Sequence, residues 1–162
     1  MNTSTTSARA TLPIDEIVDP RWAAWQPFIE TSVHLQTLLD DELRTTSGMS
    51  LADYHVMLLL AKAPAHRLRM NELSRSMVFS SSRLSYQIDS LGKKGWVTRE
   101  AVPTDRRGSY AVLSPSGLRA LADAGKVHLR SVKRLFVDVL DVDDGQALAT
   151  ALRRIASALE ES

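Results

Sequence analysis

The chain has 162 residues, 44% of them hydrophobic and 24% charged, the balance of an ordinary soluble protein long enough to bury a real core. Its longest apolar run, VMLLLA at 56–61, is far too short for a membrane-spanning helix. The lack of cysteine excludes disulfides, thiol nucleophiles, thiolate metal sites and thiol-based redox sensing. The net charge of +1 hides an asymmetry: from Lys62 to Arg107 ten Lys and Arg stand against four acids, a local balance of +6, which leaves −5 for the remainder. A basic middle in an acidic frame is expected where one region meets a polyanion.

Residues 1–19 are rich in Ser and Thr and lack the apolar run of a secretory signal. They read as a disordered N-terminal tail on a cytoplasmic protein. Asp19-Pro20 offers a cap followed by proline at the first helical position, and Trp22, Trp25, Phe28, Ile29, Leu35, Leu38, Leu39 and Leu43 recur at helical spacing to about Thr46. Pro27 inside that pattern predicts a kink or a restart. Ser50 caps a second helix, Leu51 to about Ala63, apolar all round and so buried; Pro64 stops it.

Met70, Leu73 and Met77 then form one stripe on a short helix, and VFSSS makes a polar turn. In SSRLSYQIDSLGKKG, Leu84, Ile88 and Leu91 share one face, while Arg83, Tyr86, Gln87 and Ser90 share another on which every side chain can hydrogen-bond. The serines at its start can cap the first turn and donate to an anion, and Gly95 suits a left-handed stop. Beyond Gly95 the period drops to 2: WVTREAV and SYAVL read as a β-hairpin with PTDRRG as its turn. Ser114-Pro115 opens a long helix to about Leu140, slightly weakened by Gly117 and Gly125. Asp143 caps a last helix whose Leu148, Leu152, Ile155 and Leu159 make a coiled-coil-like seam. That seam and the opening helix must be buried against each other or on a second subunit.

A short helix, a Ser-rich turn, a helix with a polar outer face and then a hairpin is the layout of a winged helix-turn-helix, mainly α with a small β-hairpin. In that geometry the second helix enters the DNA major groove. Arg83, Gln87, Ser82 and Tyr86 are then the candidate base readers, and Ser80, Ser81, Ser85 and Lys93 the phosphate contacts. At the hairpin tip, Gly108 would help the chain turn, Asp105 would pair with Arg107, Arg107 would enter the minor groove and Arg106 would meet a phosphate.

The segment NELSRSMVFSSSRLSYQIDSLGKKGWVTREAVPTDRRGSYAVLSPSG resembles the signature region of the MarR (multiple antibiotic resistance regulator) family of bacterial transcription factors, and the order of helices extends the likeness from about Arg21 to Leu159. The resemblance implies a single domain over 20–162, with a winged lobe at about 50–114 and dimerisation helices at about 20–46 and 115–160. It further implies a homodimer on a roughly palindromic double-stranded operator, acting as a repressor released by a small aromatic, often phenolic, ligand. His55, Trp96 and Arg83 depart from residues common in the family.

Trp22, Trp25, His34, Tyr54 and His55 lie near the implied ligand cleft, and mixed aromatic and imidazole groups suit a planar acidic aromatic. The four histidines, 34, 55, 66 and 128, lack the close spacing of a helix or turn metal site, and no metal or cofactor is expected. No catalytic motif is present, so an enzyme is not expected. The alternative is a winged-helix module whose polar helix face binds protein without DNA.

Overall fold

A computed structural model describes residues 19–77, 79–103 and 105–161, apart from the side chains of Arg106 and Arg107. The tail expected at 1–19 lies outside the described residues except for Asp19. Six α-helices and three strands follow in chain order among the described residues: α1 Trp25–Ser47, α2 Leu51–Lys62, β1 Arg67–Arg69, α3 Met70–Met77, α4 Ser81–Lys93, β2 Val97–Val102, β3 Asp105–Leu113, α5 Pro115–Leu135 and α6 Val142–Glu160. None of these helices is long and apolar enough to cross a membrane. Two compact units divide the chain, the first ending at His34 and the second beginning at Leu35.

In the first unit, Asp19 caps a 3-10 turn over Pro20–Ala24, its carboxylate accepting from the Arg21 backbone N–H at 2.9 Å. The helix restarts at Trp25, which places Pro27 in the first turn of α1. There its missing N–H removes no intrahelical bond, so the restart, not the kink, is what proline produces.

In the second unit, α1 buries Leu39 and Leu43 and stops at Gly48, whose φ of +66° is left-handed and whose N–H reaches the Arg44 carbonyl at 3.0 Å. A capping box opens α2: the Asp53 N–H donates to Ser50 Oγ at 3.0 Å, and the Ser50 N–H donates back to the Asp53 carboxylate at 3.1 Å. Val56, Met57 and Leu60 of α2 are fully buried with Leu73, Leu84, Ile88, Leu91 and Val97, and form the centre of the core.

The sheet differs from the expected hairpin. It has three antiparallel strands in the order β1-β3-β2, and β1 pairs Arg67, Leu68 and Arg69 with Val112, Ala111 and Tyr110. A three-residue strand is too short to carry a readable alternation. The stretch read as the turn is also mostly strand: β3 begins at Asp105, so Arg106, Arg107 and Gly108 belong to it. Ala101 faces Ser109 while Val102 faces Asp105, which leaves residues 106–108 bulged between the paired positions. Gly108 therefore does not make the turn by a left-handed φ. A Cβ there would lie 2.5 Å from Asp105 Oδ2, and glycine serves close approach instead.

Gly117 works the same way. A Cβ on it would collide with the Trp96 carbonyl, while Ser114 caps α5 and Ser114 and Ser116 both donate to the Gly95 carbonyl, at 2.7 and 2.8 Å. The start of α5 is thus pressed onto the exit of α4. Helix α5 ends at Leu135, earlier than expected, because Phe136 leaves helical geometry and a 3-10 turn covers Val137–Val139. The last helix is capped by Asp141, not Asp143: Asp141 is correctly placed to accept from the Asp144 N–H, at 2.8 Å, and Asp143 becomes a first-turn acid at the positive end of the helix.

Candidate nucleic-acid interface

Helix α4 is held by its apolar face, with Leu84, Ile88 and Leu91 each no more than 1% exposed. What that leaves outside is polar. Ser80 is the N-cap, accepting from the Arg83 N–H at 3.3 Å and lying 3.2 Å from the Ser82 hydroxyl. Ser81, Ser82, Arg83 and Lys93 are exposed, and Tyr86 is 77% exposed. The Arg83 guanidinium stands 4.0 Å over the ring of Phe79, a residue that packs on the core in what the sequence suggests is only a polar turn. Stacking on the ring holds one face of the guanidinium, and its N–H edge remains the part that can meet a partner. Ser85 is half-buried, and its carbonyl accepts from Arg99 at 3.1 Å.

Gln87, expected as a base reader, is engaged within the protein. It is half-buried, and its amide Nε2 donates to the buried Asp53 carboxylate on α2. The hydrogen-bonding stripe 83-86-87-90 is real in spacing, but one of its members turns inward because a buried carboxylate must have donors.

At the sheet, Arg69 reaches Asp105 at 3.4 Å, which ties β1 to the start of β3. The pairing expected between Asp105 and Arg107, like the side-chain roles of Arg106 and Arg107, lies outside the described residues. A cavity of about 250 Å³ opens between the N-terminus of α4 and this strand, lined by Arg69, Asn71, Ser81, Ser85, Asp105 and Ser109. Arg69 and Asn71 were not legible as lining residues, because it is the pairing of β1 with β3, Arg69 opposite Tyr110, that sets their segment beside the strand.

Of the five expected ligand residues, Trp22, Trp25 and His34 are exposed in the first unit. In the second, the buried Tyr54 of α2 meets His128 of α5, while its neighbour His55 is exposed. The Tyr54 ring is 4.6 Å from that of His128, tilted by 43°, and 6.1 Å from that of His55. His128 Nδ1 is buried and has no hydrogen-bond partner among the described residues. Burial, and then the charge of His55, push the His128 imidazole below its ordinary pKa; desolvation lowers His55 and raises the Tyr54 phenol. Among the described residues no group of three or more His, Asp or Glu is placed to hold a metal ion.

Helices α2 to α4 followed by a bulged hairpin and edged by β1 make a winged helix-turn-helix. The sequence profile of the MarR family matches residues 47–108. AbsC, a MarR family transcriptional regulator from Streptomyces coelicolor, is 33% identical, with 90% of this chain and 98% of AbsC covered at a TM-score of 0.82. Sco3205, a MarR family regulator from the same organism whose structure is in complex with DNA, is 32% identical, with 88% and 93% covered and a TM-score of 0.82. The regulator MhqR of Bacillus subtilis (strain 168) is 24% identical over 108 residues, 67% of this chain and 72% of MhqR. The chain belongs to the MarR family of transcriptional regulators. Its relatives are regulators, not enzymes.

Proposed function

We propose that the protein is a homodimeric, sequence-specific DNA-binding repressor, released from its operator by a small aromatic ligand. The observation that carries this reading is the outer end of α4: a capped helix N-terminus presenting Ser81, Ser82, Arg83 and Tyr86 to solvent, beside a bulged strand that carries Arg106 and Arg107. A helix N-terminus with free N–H groups favours phosphate, Arg is suited to guanine, and two arginines on a projecting hairpin suit a minor groove and a backbone phosphate. The DNA complex of Sco3205, a relative at 32% identity, supports the same use of this fold.

The finer parts of the proposal keep the organisation inferred from sequence, a winged lobe at about 50–114 between dimerisation helices at 20–46 and 115–160. Self-association is supported by α6, which buries no residue and leaves Ile155 and Leu159 exposed along its seam. A dimer would set two copies of α4 about 34 Å apart on a palindromic site. A ligand role for Tyr54 and His55 is supported by the Tyr54 ring lying against His128 and by the tilted pairing of Tyr54 with His55; the role of Trp22, Trp25 and His34 rests on the sequence alone.

A mobility-shift titration against the DNA upstream of its own gene tests the reading. A discrete shift is expected, weakening with salt by about 0.9 in log K per log salt for each phosphate contact. No shift at low salt with any fragment of that region overturns it, and leaves the protein-binding module as the alternative.

A further inference from the structure

We infer that Asp53 is a positioning residue for the recognition helix: its buried carboxylate, through Gln87 and Lys94, sets how α4 is rotated and slid on the lobe. The inference rests on the DNA-binding reading and assigns to Gln87 a different part in it.

Asp53 is 5% exposed. A buried carboxylate is tolerated only when donors fill its lone pairs. Here the donors come from two elements. On its own helix, the Ser50 N–H donates to Oδ2 at 3.1 Å, at the positive end of α2. From α4, Gln87 Nε2 donates to Oδ1, and the Lys94 ammonium lies 3.4 Å from Oδ2. Lys94 is itself fixed, donating to the Gly48 carbonyl at 2.8 Å and lying 4.7 Å over the Trp96 ring.

Gln87 and Lys94 are seven residues apart, about two helical turns. One carboxylate therefore grips α4 near its middle and at its C-cap. The apolar contacts of Leu84, Ile88 and Leu91 decide which side of the helix faces down, but hydrophobic burial is non-directional and tolerates small rotations. Hydrogen bonds to a single buried group do not. Since Gln87 directly follows Tyr86 and lies one turn beyond Arg83, the azimuth fixed at Asp53 is the azimuth at which those side chains leave the helix.

The test uses the full-length protein and duplex DNA that the wild type selects from a randomised pool. Gln87→Glu sets two carboxylates against each other and is expected to weaken binding by about tenfold or more, because a charged group loses its buried partner. Combining it with Asp53→Asn restores a donor facing an acceptor with the roles exchanged. The double variant is expected to return to within about threefold of wild type with unchanged base preference. A double variant no better than Gln87→Glu overturns the inference, as does Gln87→Glu binding like wild type. Circular dichroism establishes that each variant folds. Should a charged variant not fold, Gln87→Met decides: an equal loss on every single-base-pair variant of the selected duplex supports positioning, while a loss confined to one base pair makes Gln87 a base reader and overturns it. A wild type that selects no duplex defeats the DNA reading. Amide hydrogen exchange of α4 in the free protein then judges the positioning. Exchange faster by about tenfold in Gln87→Glu and restored in the double variant supports it, and unchanged exchange overturns it.

Discussion

Helices α4 and α6 are both amphipathic, yet they end in opposite situations. The apolar positions of α4, Leu84, Ile88 and Leu91, are essentially inaccessible, whereas α6, with an equally regular seam of Leu148, Leu152, Ile155 and Leu159, has only Leu148 of that seam half-buried among the described residues and the rest exposed. Periodicity announces that a face exists; it does not say what covers it. In α4 the cover is intramolecular and the helix is part of the cooperative core. In α6 the cover assigned above is a second subunit, so its apolar residues should contribute to association more than to the stability of the lobe.

The sharpest way to break that contrast is a matched pair of truncations. Leu91→Ala should destabilise the lobe by about 2 to 5 kcal/mol, the cost of emptying a close-packed site, as measured by denaturant unfolding. Ile155→Ala should leave the lobe's unfolding within about 0.5 kcal/mol when measured on dilute monomer. Its effect should appear in light scattering, as dissociation at a higher protein concentration. Equal losses of lobe stability would place α6 in the same core as α4.

A second pair uses glycine. Gly117 has the Trp96 backbone where a Cβ would go, and backbone cannot rotate away, so Gly117→Ala should cost about 1 to 3 kcal/mol by overpacking. Gly145, in the first turns of α6, has nothing within 4 Å of that position. Gly145→Ala should therefore raise the thermal midpoint, in line with about 0.5 to 1 kcal/mol of helix propensity. The same substitution with opposite signs would confirm that one helix start is locked onto the lobe and the other is not.

The wing separates binding from folding. Arg107→Ala should weaken operator binding by about 1 to 3 kcal/mol if the side chain enters a narrow minor groove, while Arg106→Ala, acting on phosphate alone, should mainly reduce the salt slope by about 1. Both should leave the unfolding of the lobe as it is. An unchanged affinity for Arg107→Ala would remove the wing from recognition.

How much of this was legible in the sequence follows from the range of the forces involved. The caps at Ser50, Ser80 and Ser114, the stop at Gly95 and the buried face of α4 are local, set within a turn or two, and the sequence displays them. The strand β1 was not legible, because RLR acquires strand geometry only from its partner β3. The internal bond of Gln87 was not legible for a related reason: the stripe that contains it is local, but the carboxylate that accepts from it sits 34 residues earlier. Gly117 was visible as a glycine, yet its reason, the Trp96 backbone arriving from another segment, is tertiary, while the reason for Gly108 lies in a bulge that the sequence does not announce. For α6 the period of the seam was legible, but nothing in a period says what covers it, and no described residue of the helix is buried.

The smallest expected effect concerns α5, which joins the two regions and carries His128. Its imidazole sits against Tyr54 with Nδ1 buried and unpaired among the described residues, and burial together with the nearby His55 makes protonation harder in the folded state than in the unfolded one. Lowering the pH through the ordinary imidazole value of about 6.5 charges the unfolded chain first, so this contribution to stability is intact above that value and lost on acidification. His128→Phe keeps an aromatic ring beside Tyr54 and removes both the titration and the orphan nitrogen. Its melting temperature should fall less than that of wild type between about pH 7 and pH 5.5, the interval in which an imidazole of lowered pKa is the changing group. Parallel curves for the two proteins would mean that α5 carries no proton-linked cost at this position, and that the buried nitrogen is satisfied in solution.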